Sequence, residues 1–201
     1  MKKIEIGKAI GYGWESIKKN FWYLIAITVI YYAVAGISGV DRNENSGASL
    51  LSILIWLLSI YMMGGLLRIL LDYYDGKKRP ISDLFTQVKY FWRLLGATLL
   101  VSLIVFVGFI LLVVPGIYWA LKYQFVPYLI VDKDMNVMEA MKQSGNMTLG
   151  VKWQLLGFAF VSLGIIILGA IALGVGIFVA APIIMLAEIF IYRHLLTQSK
   201  E

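Results

Sequence analysis

Cysteine is absent from the 201 residues, which excludes disulfides, a thiol nucleophile and a thiolate metal site. Histidine occurs once, at His194. With no cysteine or second histidine beside it, the ligand set of a zinc site is missing. Charge is scarce as well: Asp, Glu, Lys and Arg make up 15% of the chain, where a globular domain carries roughly 25%. The acidic residues that remain are scattered through polar segments, so the paired carboxylates of general acid–base catalysis inside a membrane are missing. No GxxxxGK[ST] run offers a phosphate cradle. These absences predict a protein that is not an enzyme and holds no cofactor.

What is present is apolar. Hydrophobic residues form 60% of the chain, gathered in blocks of the length that a helix needs to cross a hydrocarbon core of roughly 30 Å. The expected fold is an all-α integral membrane bundle forming a single domain over residues 1–201. Its apolar segments fall at 21–40, 50–71, 94–114, 117–131, 153–173 and 176–192, about six transmembrane helices. The first block is too long for an ordinary signal core and follows twenty residues of patterned sequence, so it reads as an anchor rather than a cleaved leader.

The net charge of +6 arises from cations that border these blocks, which suits anionic lipid headgroups rather than nucleic acid. Lys2, Lys3, Lys8, Lys18 and Lys19 precede the first block. Lys77, Lys78, Arg79, Lys89 and Arg93 follow the second, and Lys133, Lys142 and Lys152 follow the fourth; on the opposite side Arg42 stands alone. Lys and Arg are retained in cytoplasmic loops, which predicts a multi-pass protein of a bacterial cytoplasmic membrane with both termini cytoplasmic. Trp14, Lys18, Lys19, Trp22, Trp92, Arg93 and Trp153 are the expected lipid-interface residues.

Two outward turns, Val114-Pro115-Gly116 and Gly174-Val175-Gly176, hold no charge and hardly interrupt the apolar run, in contrast to the polar loop 41–48. Pro115, Gly116, Pro127 and Pro182 are candidate breaks or turns. Residues 117–131 would reach only about 22 Å as a helix, so a shallow re-entrant hairpin is the alternative to a full crossing. Each hairpin is preceded by a polar lead-in, which suggests repeat-like units at about 1–75, 76–134 and 135–201. In the first lead-in, Ile6, Ile10, Trp14, Ile17 and Phe21 share a helical face that can lie on lipid. In the second, Ser82 is an expected N-cap, and Leu84, Phe85, Val88 and Trp92 share a face. The third begins near Asn136.

The run Pro115-Gly116-Ile117-Tyr118-Trp119-Ala120-Leu121-Lys122, then Pro127-Tyr128-Leu129-Ile130-Val131-Asp132 and Glu139-Ala140, resembles uncharacterised bacterial multi-pass membrane proteins related to the membrane domain of glycerophosphoryl diester phosphodiesterases. The opening Ile6-Gly7-Lys8-Ala9 and Gly13-Trp14 resembles the start of the same family. The resemblance implies a multi-helical membrane domain and carries over no catalytic residue. In the fused enzymes the chemistry belongs to a separate soluble barrel, which is not expected in a chain that ends at Glu201.

Charged side chains within membrane helices face cavities or partners, so Lys122, Gln124 and Glu188 form the candidate intramembrane polar site. Lys122 either snorkels to the headgroups or pairs with Glu188, and Glu188 otherwise caps an interior water site or meets a cytoplasmic cation such as Arg193. Arg68 and Asp72, four residues apart, are expected to meet on one helix face. Gly64, Gly65, Gly157, Gly164 and Gly169 permit close helix approach. The function these residues favour is a non-enzymatic membrane scaffold or regulatory partner. Its expected partners are anionic lipids and either a membrane-protein partner or a second copy of the chain. The alternative is a small transporter or lipid-handling protein with a polar path near Lys122 and Glu188.

Overall fold

The computed structural model describes residues 3–37, 50–171 and 175–199, and among these no strand occurs. The helices are α1 (Ile6–Lys19), α2 (Phe21–Ile37), α3 (Leu50–Tyr74), α4 (Phe91–Leu111), α5 (Val113–Tyr123), α6 (Val126–Lys133), α7 (Val137–Met147), α8 (Lys152–Ile171) and α9 (Val175–Gln198). Two short 3₁₀ turns, Ile81–Phe85 and Val88–Tyr90, lead into α4. The expected loop 41–48 and the turn residue Gly174 lie outside the described residues.

Among the described residues, four stretches are long and apolar enough to cross a membrane: Leu50–Tyr74, Ile81–Leu111, Lys152–Ile171 and Gly176–Gln198. The first apolar block provides a 17-residue helix within the described residues. Residues 117–131 depart from expectation, because the chain leaves the helix at Gln124 and Phe125 and restarts. Pro127 occupies the first turn of α6, where a missing amide N–H is harmless. In an unbroken helix that amide would have been needed by the Tyr123 carbonyl. The fourth block is thus two short helices, of 11 and 8 residues.

Consecutive long helices pack as neighbours: α2 on α3, α4 on α5 and α8 on α9. The turn between α4 and α5 is made by Leu112, with extended backbone at φ −168° and ψ 156°. Pro115 and Gly116 therefore lie inside the first turns of α5 rather than at the turn itself. A β-carbon on Gly108 would stand 2.8 Å from the Gly116 Cα, and one on Gly176 would stand 2.6 Å from the Gly169 carbonyl oxygen. Backbone touches backbone at both places, as small residues allow in membranes. Gly157 faces the Ile6 side chain, whereas Gly164 faces open space. Pro182 does not break its helix, since α9 runs uninterrupted from Val175 to Gln198.

The lead-ins differ from the sequence expectation in instructive ways. Helix α1 buries Ala9, Gly13, Ser16 and Ile17; of the expected face Ile17 is buried, Ile6 and Ile10 are half-buried, and Trp14 and Phe21 are exposed. Gly13 lies so close to the Ile183 carbonyl of α9 that a β-carbon would overlap it. Small residues thus seat α1 on protein, while Trp14 stays exposed. The second lead-in is 3₁₀ rather than α; Pro80 precedes its first turn, and Ser82 makes no cap. Its expected face is divided, with Leu84 buried and Phe85, Val88 and Trp92 exposed. Leu84 is drawn inward because Gly65 leaves room for its backbone. The third lead-in, α7, is capped at Asn136 by a reciprocal pair with Glu139, a capping box.

At the centre stand α3, α6 and α9, with α3 packed on both of the others. Positions sixty residues apart share the same burial: Leu66, Val126 and Leu186, then Ile69, Leu129 and Ile189, then Leu71, Val131 and Ile191, all at most 1% exposed. Outside them, Phe106, Ile110, Leu112, Val114 and Leu168 are exposed. Helices that are apolar both inward and outward are suited to lipid.

Candidate functional site

Polar side chains gather where α3, α6 and α9 end, and they come from helix positions spaced one turn apart. On α6 these are Tyr128 and Asp132, and on α9 they are Glu188 and Tyr192. The Tyr128 hydroxyl donates to Glu188 Oε2 at 2.7 Å, and the Tyr192 hydroxyl donates to Asp132 Oδ2 at 2.8 Å. The tyrosine rings stack, with centroids 5.5 Å apart. Both bonds join residues sixty apart and advance together along the chain, so α6 and α9 run parallel. Each buried polar group meets a partner across the helix interface, which avoids leaving it bare in an apolar medium.

Ion pairs extend the cluster to the surface. Arg193 donates to Asp132 at 2.9 Å and to Asp75, beyond the end of α3, at 2.6 Å. The Lys133 ammonium lies 3.1 Å from Asp132. At the end of α3 the buried Asp72 pairs with Arg68 at 3.1 Å and also with Arg79, while Arg79 donates to Asp83 at 2.9 Å. These carboxylates, Asp83 first and then Asp72, hold the Arg79 guanidinium above its ordinary value, as hydrogen bonds to a cation do.

The same end ties in further polar segments. The Tyr23 hydroxyl donates to the Arg79 carbonyl, and the Asn20 amide donates to the Tyr73 hydroxyl. Arg93 donates to the Asp134 carboxylate at 2.6 Å. The Ile4 amide donates to Gln154, and His194 Nε2 lies 2.9 Å from the Lys3 carbonyl oxygen. Start of chain, lead-ins and end of α9 therefore form one hydrogen-bonded plate.

Lys122 and Glu188 do not meet. The Lys122 ammonium lies over the Tyr123 ring at 5.0 Å, and its stem lies against Gly145 of α7. The Lys122 carbonyl, near the end of α5, accepts from the Ser144 hydroxyl at 2.7 Å. Gln124, in the break, has a buried Nε2 with no hydrogen-bond partner among the described residues. Glu188 lines a cavity of about 330 Å³ between α2, α8 and α9, together with Thr28 and Tyr32. Of the expected interface residues, Trp14, Lys18, Lys19, Trp22, Trp92 and Trp153 are exposed, and Arg93 is half-buried. Trp22, Trp92 and Trp153 stand at the starts of α2, α4 and α8.

The sequence pairs Arg68 with Asp72 and offers Arg193 as a partner of Glu188, whereas Arg193 pairs with Asp132 and Asp75; it misses Tyr128, Asp132 and Tyr192 as members of the cluster. A signal was available, since polar residues recur four apart at 68 and 72, 128 and 132, and 188 and 192.

Residues 101–199 match the family described as "Protein of unknown function (DUF975)". The chain is similar to the uncharacterized protein Rv2560 of Mycobacterium tuberculosis (strain ATCC 25618 / H37Rv), with 24% identity across 94% of this chain and 68% of the relative. The uncharacterized protein Mb2590 of Mycobacterium bovis (strain ATCC BAA-935 / AF2122/97) matches with the same identity and coverage. No solved structure matches. Nothing in these matches ties the chain to the membrane domain of glycerophosphoryl diester phosphodiesterases.

Proposed function

We propose that this chain is a multi-pass protein of a bacterial cytoplasmic membrane that acts without chemistry, as a scaffold or regulatory partner presenting a fixed cytoplasmic plate to another membrane-associated protein. Its apolar segments form three hairpins, with the broken α5–α6 leg completing the second, and both termini lie on the lysine-rich side. The observation that carries this reading is the polar plate itself. Arg93 and Arg193 each pair with a carboxylate distant in sequence, the Arg79 carbonyl accepts from Tyr23, and the same polar segments bear exposed Lys18, Lys19, Lys77, Lys78 and Lys142. Ion pairs that fix lead-ins to helix ends give such a surface one shape, which recognition of a partner requires.

A transporter or lipid-handling role is the second reading, favoured by the cavity beside Glu188. It draws no support from Lys122, whose ammonium rests on a tyrosine ring instead of facing that carboxylate.

Crosslinking of the full chain in its native membrane tests the choice. Under the scaffold reading, one or a few proteins are recovered repeatedly, and the double variant Lys77→Glu/Lys78→Glu loses them while the Glu188→Gln variant retains them. Retention by the double variant, or loss with Glu188→Gln at unchanged thermal stability, would overturn the reading in favour of the second.

A further inference from the structure

Between α5 and α8 lies an open groove of about 300 Å³, at the small end of volumes that hold ligands. Its walls are Val114, Ile117 and Leu121 on α5, with Leu156 on α8. The α5 residues fall three and four apart, so one helix face supplies that wall. Tyr118, Lys152 and Trp153 complete the lining. No carboxylate contributes to it.

Among the described residues, Lys152 is the only charged group of the groove. Its ammonium sits 4.3 Å from the centroid of the Tyr118 ring. A cation held on a ring face keeps its N–H donors available, because the attraction is to the quadrupole and consumes none of them. Trp153 beside it is exposed, and indoles in that position settle at headgroup depth with their N–H toward the wet side. Lys152 also opens a 20-residue helix, whose unpaired first amides add positive potential at the same point.

An apolar trough with a cation and an indole at one end matches an amphiphile whose head is an anion. A zwitterionic lipid would bring its own ammonium toward Lys152, with no carboxylate in the groove to receive it. We propose that the groove between α5 and α8 is a binding site for one anionic phospholipid, its phosphate on Lys152 and Trp153 and one acyl chain along Val114, Ile117, Leu121 and Leu156. The inference rests on the membrane reading above and adds a defined lipid position to it. It is independent of which protein partner the plate receives.

The test reconstitutes the full chain in phosphatidylcholine vesicles doped with a few mole percent of a lipid bearing a photoactivatable group on its acyl chain. That lipid is either phosphatidylglycerol or phosphatidylcholine, and the labelled peptides are mapped by mass spectrometry. We expect phosphatidylglycerol to label the groove peptides about fivefold more than phosphatidylcholine, the ratio that one lysine near an anionic headgroup supplies. Lys152→Gln removes that preference, Lys152→Arg keeps it, and Leu156→Trp, which fills the trough, lowers labelling of α5. Exposed Phe106 and Ile110 on α4 serve as the internal control, labelled by both lipids alike. Equal groove labelling by the two lipids, or a preference that survives Lys152→Gln, overturns the site while the membrane reading stands. Absence of label at Phe106 and Ile110 overturns both.

Discussion

Asp132 gathers three donors onto a largely buried carboxylate: the Tyr192 hydroxyl, the Arg193 guanidinium and the Lys133 ammonium. These contacts differ in worth. An interhelical hydrogen bond from a neutral group in a membrane contributes on average about 0.6 kcal/mol, because the separated helices find other partners. Removing an anion from a shielded cation costs about 3–5 kcal/mol, since the remaining charge is left uncompensated. Arg193 retains Asp75 as a second partner, which places its loss at the lower end. Tyr192→Phe is therefore expected to lower stability by about 0.6 kcal/mol and Asp132→Ala by about 3 kcal/mol, read as thermal unfolding in one fixed detergent. Similar losses for both would mean that the charge of Asp132 contributes little.

At the scale of elements, the break between α5 and α6 persists because another helix takes up what it exposes. Pro127 has no amide to continue the ladder, and the Lys122 carbonyl is capped from outside by Ser144, with the Thr148 hydroxyl 3.5 Å away. Ser144 lies on α7 and Thr148 just past its end, and both are fully buried. Ser144→Ala should cost about 1 kcal/mol with Thr148 still able to close in, and the pair Ser144→Ala/Thr148→Val about 3 kcal/mol, the range for an orphaned buried acceptor. Calorimetry of the three proteins checks this, and additivity well below that range would assign the break to Pro127 alone.

The same break explains what the sequence withheld. Depths for Lys122 and Glu188 follow from a continuous helix at 1.5 Å per residue, but the interruption hands Lys122 to α7 and Glu188 to Tyr128. Local rules were legible: the four-residue spacing of Arg68 and Asp72, and the start of the third lead-in near Asn136, where the structure places a capping box with Glu139. The helical-wheel reading of residues 81–92 failed because a 3₁₀ turn holds three residues, not 3.6, so Leu84 turns inward alone. For α1, the large apolar residues dominated the pattern, whereas the contact with α9 is made through Gly13. Close approach depends on what is missing from a side chain, and hydropathy does not register that.

At the scale of the whole molecule, orientation is the claim most open to direct measurement. Absence of native cysteine lets single labels be introduced without background. Lys18→Cys, Lys78→Cys and Lys142→Cys, each exposed and each on a different lead-in or connection, should react with an impermeant maleimide in inside-out vesicles and stay protected in intact cells. A split among the three would show that the polar segments face two compartments. The glycine contacts where α4 meets α5 and α8 meets α9 bear on how the fold assembles. Gly116 and Gly176 each press on the helix just before their own, and these contacts need no other part of the chain. Each of those two helix pairs is held by contacts between residues near in sequence, which close at little cost in chain entropy. Under the membrane reading, assembly would then be the docking of pairs already closed, with the long-range bonds of Asp132 to Tyr192 and of Arg193 to Asp75 made last.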